Sequence, residues 1–408
     1  MLKLVLGASG SGKTTLLYAR IRARAEAGKR SILLVPEQFT SSTEARIYRE
    51  LGDALSGMVE SYSFTSLAEH ILAVEGGAAV QTLTDAGRAV LVRRALEELQ
   101  DNVHYYYRHR RSAAFCQMAA ETIDELKSAG LSGQQLQELA RDCGTESAKL
   151  GELALIFQGY ESLLAGTGMD PADRLELAAD RLEAALARDE LPDFLREREV
   201  FIDEFDTFNA PKKRLMGAML AALPAVTVAL CEDGTPMQPG DLELFSGAKQ
   251  VAAQLRQLAR KNGAQVAAPE LLRRDLRHKD APGLAALAQL LETGSCTPPE
   301  SAPELRLFAA ASREEEARCA AAAIRRLMRQ GVRCGKIAVV CRDISLYRAA
   351  VRYEFRMAEI PLYCDEPTTP EFSAPATAVR ALLALLRGAD MTEQLTVLAK
   401  TGLCALTE

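Results

Sequence analysis

No two of the nine cysteines stand in a CxxC pair, and no histidine lies near them at metal-ligand spacing. That pattern excludes a zinc ribbon and a disulfide framework, and leaves reduced structural thiols. No run of about 18 apolar residues exists, which excludes a membrane-spanning helix of ordinary length. The N-terminus lacks the charged and apolar regions of a secretory signal, so a cytoplasmic location is expected. A basic surplus is also missing: 49 Lys and Arg stand against 55 Asp and Glu, a formal net charge of -6. Any contact with nucleic acid must therefore be local or shared with a partner. What the chain does have is length, 408 residues, and 48% hydrophobic content, enough for two or three folded units with ample core.

The most informative stretch comes first. Gly7-Ala8-Ser9-Gly10-Ser11-Gly12-Lys13-Thr14-Thr15 fits the phosphate-binding pattern GxxxxGK[ST], with apolar Leu2, Leu4, Val5 and Leu6 before it and helix-forming Leu16 to Arg20 after it. Glycines let the backbone N–H groups turn toward phosphates, and the following helix adds the positive end of its dipole. Lys13 then reaches the terminal phosphates of ATP and the Thr14 hydroxyl ligates Mg2+. Such a loop needs an acidic partner strand. Glu199-Val200-Phe201-Ile202-Asp203-Glu204-Phe205 supplies one, with Asp203 placed to hold Mg2+ and Glu204 to orient and deprotonate the attacking water. A plain strand ending in solvated acids is the alternative for that segment. Val226 to Cys231 reads as the next buried strand of the same parallel sheet.

About 190 residues separate the loop from the acidic strand, too many for a minimal alternation of strands and helices. From Leu83 to about Arg198 the apolar residues recur at three- and four-residue steps, which predicts an inserted helical subdomain. A Pro- and Gly-bearing connector follows, and then a new alternation: strand ELRLFAA, helix REEEARCAAAAIRRLMRQG, strand KIAVVCRD and helix YRAAVRYEFRMAEI.

LLVPEQF after the second strand, ESYSFTSLAEHIL after the third, and IAVVCRD and IPLYCDE in the later alternation complete a set. With the early P-loop, these stretches resemble the N-terminal part of AddB, a component of the bacterial ATP-dependent helicase/deoxyribonuclease, and more loosely the UvrD-like helicases. The fold expected is α/β: a P-loop RecA-like parallel sheet domain over 1–82 and 199–274, a helical insertion over 83–198, a linker over 275–302, and part of a second RecA-like domain over 303–408. The resemblance implies an AddA-like helicase/nuclease partner, loading on DNA ends, and resection toward a recombination hotspot. It also implies ATP and Mg2+ as cofactors, whereas the family's C-terminal nuclease and iron-sulfur cluster are not expected in this chain.

UvrD-like motors read adenine through a segment upstream of the loop, which the six residues before Gly7 cannot contain; their transition-state arginine comes from later motifs. The isolated chain is therefore expected to be a poor ATPase and a weak DNA binder. Single-stranded DNA contact is expected at Pro36, Glu37, Gln38 and Phe39 and at Ser63, Phe64, Thr65 and Ser66, with Phe64 either a stacking platform or a core residue. Arg313 and Arg342 are candidate phosphate contacts. Val103 to Ser112, VHYYYRHRRS, either touches a phosphate backbone or forms a packing face. A noncatalytic DNA-binding scaffold with a relic ATP site and a P-loop small-molecule kinase remain the alternatives.

Overall fold

A computed structural model describes residues 1–77, 82–100, 102–109, 111–236, 244–364 and 373–403. Arg110, Asp365, Glu366 and Cys404, named in the motifs and cysteine pattern above, lie outside the described residues. The chain divides into two compact units, Met1–Leu305 and Arg306–Glu408.

The first unit is built on six parallel strands: β1 (Leu2–Gly7), β2 (Ser31–Leu34), β3 (Val59–Tyr62), β4 (Glu199–Ile202), β5 (Ala225–Cys231) and β6 (Glu270–Leu272), in the order β3-β2-β4-β5-β1-β6. The parallel sheet expected from the alternation is therefore present. Its inner strands β1, β2, β4 and β5 are mostly apolar because both faces are covered, as a parallel sheet requires, whereas the edge strands β3 and β6 are half-buried. On one face Leu4, Leu6, Ile32, Leu34, Val200, Ile202, Val228 and Leu230 enter the largest core. Their sequence neighbours Val5, Leu33, Phe201 and Ala229 point into a second core on the opposite face. The period of two along each strand thus decides which layer each residue feeds.

The helices are α1 (Lys13–Glu26), α2 (Thr40–Leu51), α3 (Asp53–Ser56), α4 (Phe64–Glu75), α5 (Asp85–Glu98), α6 (Ala113–Ser128), α7 (Gly133–Ala140), α8 (Ser147–Leu164), α9 (Pro171–Ala187), α10 (Ala210–Ala222), α11 (Ser246–Lys261) and α12 (Pro282–Thr293). Helices α1 and α2 cover the face of Val5 and Phe201, while α4, α9, α10 and α11 cover the other. A separate apolar cluster joins α5, α6, α7 and α8 through Leu91, Leu96, Ile123, Leu136, Phe157 and Tyr160. Of the helices read into the insertion, α9 keeps different company. Its Leu175, Ala178, Ala179 and Leu182 lie in the sheet-covering core, and its neighbours are α4 and α10. Periodicity shows that a segment has an apolar face but not what that face meets.

The buried strand β4 opens on a charge. Glu199 is 7% exposed, and it is held by Lys3 Nζ at 2.8 Å, Arg24 at 3.3 Å and the Thr227 hydroxyl at 2.9 Å. Residues 275–302, read as a linker, contain α12 and contribute to the site described below.

In the second unit α13 (Arg313–Arg329), α14 (Ile344–Met357), α15 (Ala374–Leu386) and α16 (Met391–Lys400) follow one another. Ala317, Ala321, Ile324, Val351, Phe355 and Ile360 form its core. The segments expected as strands, 304–310 and 336–343, differ from the expectation: apart from a one-turn 3-10 helix at Cys334–Lys336, they are irregular chain with no ladder partner among the described residues. Leu307 is fully exposed and Val340 is 90% exposed. Apolar alternation supplies a face for a sheet, but a strand exists only when its N–H and C=O groups find a neighbouring strand.

Candidate nucleotide site

The loop between β1 and α1 turns sharply because two of its glycines take conformations that other residues avoid. Gly10 has φ 82° and Gly12, which caps α1, has φ 92°. A Cβ on Gly7 would lie 2.7 Å from the Leu272 carbonyl oxygen, so a side chain there would part β1 from β6. The Lys13 ammonium folds back on the loop and donates to the carbonyls of Gly7 at 2.7 Å and Ala8 at 2.9 Å. Burial lowers its pKa, while Cys231 and Asp203 act in the opposite direction. Ser11 is buried beneath the loop, with no hydrogen-bond partner for its hydroxyl among the described residues.

Asp203 and Glu204 follow directly on β4. The Asp203 N–H donates to Leu34 O at 3.1 Å, continuing the ladder by one residue, and the Glu204 N–H donates to the Asp203 carboxylate at 3.0 Å. Glu204 sits at φ 65°, a left-handed conformation unusual for a residue with a side chain. Burial pushes the Glu204 carboxyl above its ordinary range, Asp203 pushes it further, and Arg46 opposes both.

Ser9, Gly10, Gly12, Lys13, Thr14 and Thr15 share a cavity of about 540 Å³ with Asp203 and Glu204. Residues that lie about 190 positions apart in the chain thus face one space, because β1 and β4 flank β5 in the sheet and all three point their C-terminal ends the same way. Ligands of open parallel sheets lodge at such strand ends. Thr14 and Asp203 could hold Mg2+. Among the described residues no three His, Cys, Asp or Glu gather as a metal cluster; an Mg2+ held by phosphates usually completes its shell with their oxygens and water.

Several residues lining this cavity were not read from the sequence as site residues. Arg46 comes from α2, Cys231 from the end of β5, and Leu276 with Arg277 from the segment after β6. That segment lies against the loop: the Leu276 N–H donates to Gly10 O at 3.0 Å, and the Arg277 guanidinium donates to the Ser9 hydroxyl at 3.1 Å. Asp275 turns it, accepting from the N–H groups of Arg277 and His278. The basic run Arg273-Arg274-Asp275-Leu276-Arg277-His278 was the available signal. The three-residue β6 that precedes it is too short to announce itself.

The two loops expected to hold single-stranded DNA converge. Pro36, Glu37 and Gln38 line a groove of about 430 Å³ with Ser63, Phe64 and Thr65, and α6 adds Asp124 and Ser128. Glu204, Phe205 and Asp206 form a wall shared with the cavity at the β1–α1 loop. Phe39 follows next in the chain without lining the groove, and is 36% exposed. Phe64 is 2% exposed, with Phe205 and Phe208 edge-on at 5.3 and 6.0 Å, so its ring belongs to the core and offers no face to a base. Ser63 caps α4 in a reciprocal pair with Ser66. The charged side chains here are Glu37, Asp124, Glu204, Asp206 and Lys212, a balance that disfavours a phosphate backbone.

Arg313 and Arg342 both belong to the second unit. Arg313 opens α13, and its guanidinium lies 6.0 Å above the Tyr347 ring. In VHYYYRHRRS the backbone N–H groups of His104, Tyr105 and Tyr106 grip the Glu152 carboxylate at 2.8–3.1 Å. Tyr106 stacks on Phe115 at 5.4 Å, which makes this segment part of the helical cluster. No described helix is long and apolar enough to cross a membrane.

Residues 4–288 match the family described as ADDB, N-terminal. The chain is 33% identical over 379 residues to the B component of the ATP-dependent helicase/deoxyribonuclease of Moorella thermoacetica, a match that covers 89% of this chain and 32% of that protein. It is 34% identical over 381 residues to the protein of the same name from Desulforudis audaxviator, with 89% and 32% covered. For Symbiobacterium thermophilum the figures are 31% over 407 residues, with 94% and 34% covered. The chain spans about a third of the length of these relatives.

Proposed function

Because the chain belongs to the family of AddB N-terminal regions, we propose that it is the nucleotide-binding, helicase-like part of a protein that acts with an AddA-like partner in ATP-dependent processing of DNA double-strand ends. The observation that carries the nucleotide part is the single cavity joining the Gly7–Thr14 loop to Asp203 and Glu204. Glycines at 7, 10 and 12 let the loop turn and let the chain from Leu272 to Arg277 pack closely against it, and Lys13 and Arg277 provide positive charge at the cavity's rim.

Mg2+, bound between Thr14, Asp203 and the phosphates, would draw off negative charge from the terminal phosphoryl group. The chain's own residues do the rest. The loop N–H groups and the α1 N-terminus bind phosphate oxygens. Lys13 exchanges its hold on the Gly7 and Ala8 carbonyls for a phosphate. Glu204, with its raised proton affinity, takes a proton from water at the end of β4. Recombination repair is the wider process that such end processing would serve. The DNA is expected to be held chiefly by the partner, since this chain carries a net charge of -6.

The test is calorimetric titration of the chain with Mg-ATP. Lys13→Ala should weaken binding by about tenfold or more while leaving the melting temperature nearly unchanged. Equal affinities in the two proteins would sink the assignment.

A further inference from the structure

The cation on α2 has no counterpart in the sequence pattern that marks the loop. Arg46 lines the 540 Å³ cavity with Lys13, Thr14, Asp203 and Glu204, and also an adjoining one of about 320 Å³ with Thr14, Tyr18, Asp203 and Glu204. Thr14, Asp203 and Glu204 are common to both spaces, so Arg46 stands at the acidic end of the site. Arg277 stands at the opposite end, beside Ser9. The Arg46 guanidinium lies 4.9 Å over the Tyr18 ring, a stacking that holds the group in place while leaving its N–H edge available. Among the described residues it forms no ion pair.

We propose that Arg46 is the specificity-determining residue of this site, reading the terminal phosphate and so separating nucleoside triphosphate from diphosphate. The inference rests on the nucleotide reading above and adds which phosphate the chain discriminates. Its physical basis is charge balance at one end of the cavity. Asp203 and Glu204 both line the end of the cavity where a terminal phosphate and Mg2+ would be held, and two carboxylates beside a phosphate repel it. Mg2+ offsets Asp203. An arginine with five donors, in no ion pair among the described residues, offsets Glu204 and can engage the phosphate oxygens in pairs. A diphosphate ends before this position, so it gains little from Arg46 and relies on the loop and Lys13.

Competition titrations of the whole chain with Mg-ATP and Mg-ADP separate the two ideas. Arg46→Met keeps the stem over Tyr18 and removes the charge. It should weaken Mg-ATP about tenfold or more and Mg-ADP less than about twofold. Lys13→Ala should weaken both. Arg46→Lys, which keeps the charge but not the paired donors, should fall between wild type and Arg46→Met for Mg-ATP alone. Equal losses of ATP and ADP in Arg46→Met, or no loss in either, would overturn the proposal while leaving the nucleotide reading standing. If the unaltered chain binds neither nucleotide, the nucleotide reading fails first and the proposal with it.

Discussion

Glu204 carries two costs at one position. Its backbone is left-handed at φ 65°, which costs an L-residue roughly 1 kcal/mol, and its carboxyl is partly desolvated beside Asp203. Both point to a residue kept for chemistry against stability. Glu204→Gly removes both costs, and urea unfolding should show it more stable by about 0.5–1 kcal/mol. Glu204→Gln isolates the charge. Because the folded carboxyl takes up its proton above the ordinary 4.5, its contribution to stability is fully present below that value and is lost as pH rises through the raised one. The melting temperature of Glu204→Gln should therefore match wild type near pH 4 and exceed it near pH 7. A gap that narrows toward neutral pH would contradict this assignment. In a complete protein that turns over ATP, the same variant should bind nucleotide and fail to hydrolyse it.

At the scale of elements, the helical cluster is tied to the sheet-bearing layer through one buried polar knot. Lys127 on α6 bonds Asp170 at 2.9 Å and Asp173 at 2.8 Å, and the Tyr160 hydroxyl of α8 donates to Asp170 at 2.6 Å. Asp170 is 1% exposed and caps α9, the helix that lies on the sheet. Burial works against the Lys127 charge, but Asp173 and Asp170 outweigh it and hold the ammonium above its ordinary range. Removing one partner leaves the other charge buried. Lys127→Ala should cost about 3–5 kcal/mol in chemical denaturation, and Tyr160→Phe, which deletes one hydrogen bond to a carboxylate, about 1.5–3 kcal/mol. A Lys127→Ala cost no larger than that of Tyr160→Phe would show that Asp170 finds water instead.

On the scale of the whole molecule, every side chain lining the candidate nucleotide cavity lies between Ser9 and Arg277, within the unit Met1–Leu305. That unit also encloses three of the four apolar cores found among the described residues. A fragment of residues 1–305 should fold and bind Mg-ATP within about threefold of the 408-residue chain, since affinity follows the groups that touch the ligand. Loss of binding on cutting after Leu305 would mean that the second unit supports the site.

The glycine-rich turn between β1 and α1 was legible because its signal is local: glycine, lysine and threonine within eight consecutive residues dictate backbone turns and donors whatever surrounds them. The acidic strand end Asp203-Glu204 was legible for a similar reason, an apolar run with two carboxylates at its end. The parallel alternation of the first unit could also be read, since strands covered on both faces are apolar throughout. Tertiary structure alone decided the rest. Arg46 and Arg277 resemble any solvated arginine until α2 and the chain after β6 are laid beside the loop, and no periodicity records that adjacency. Phe64 became a core ring because Phe205 and Phe208, about 140 residues away, close over it. The segments 304–310 and 336–343 show the converse limit. Their alternation states a preference for extended chain, but pairing belongs to the partner strand as much as to the segment, and one stretch of sequence cannot carry both halves of a ladder.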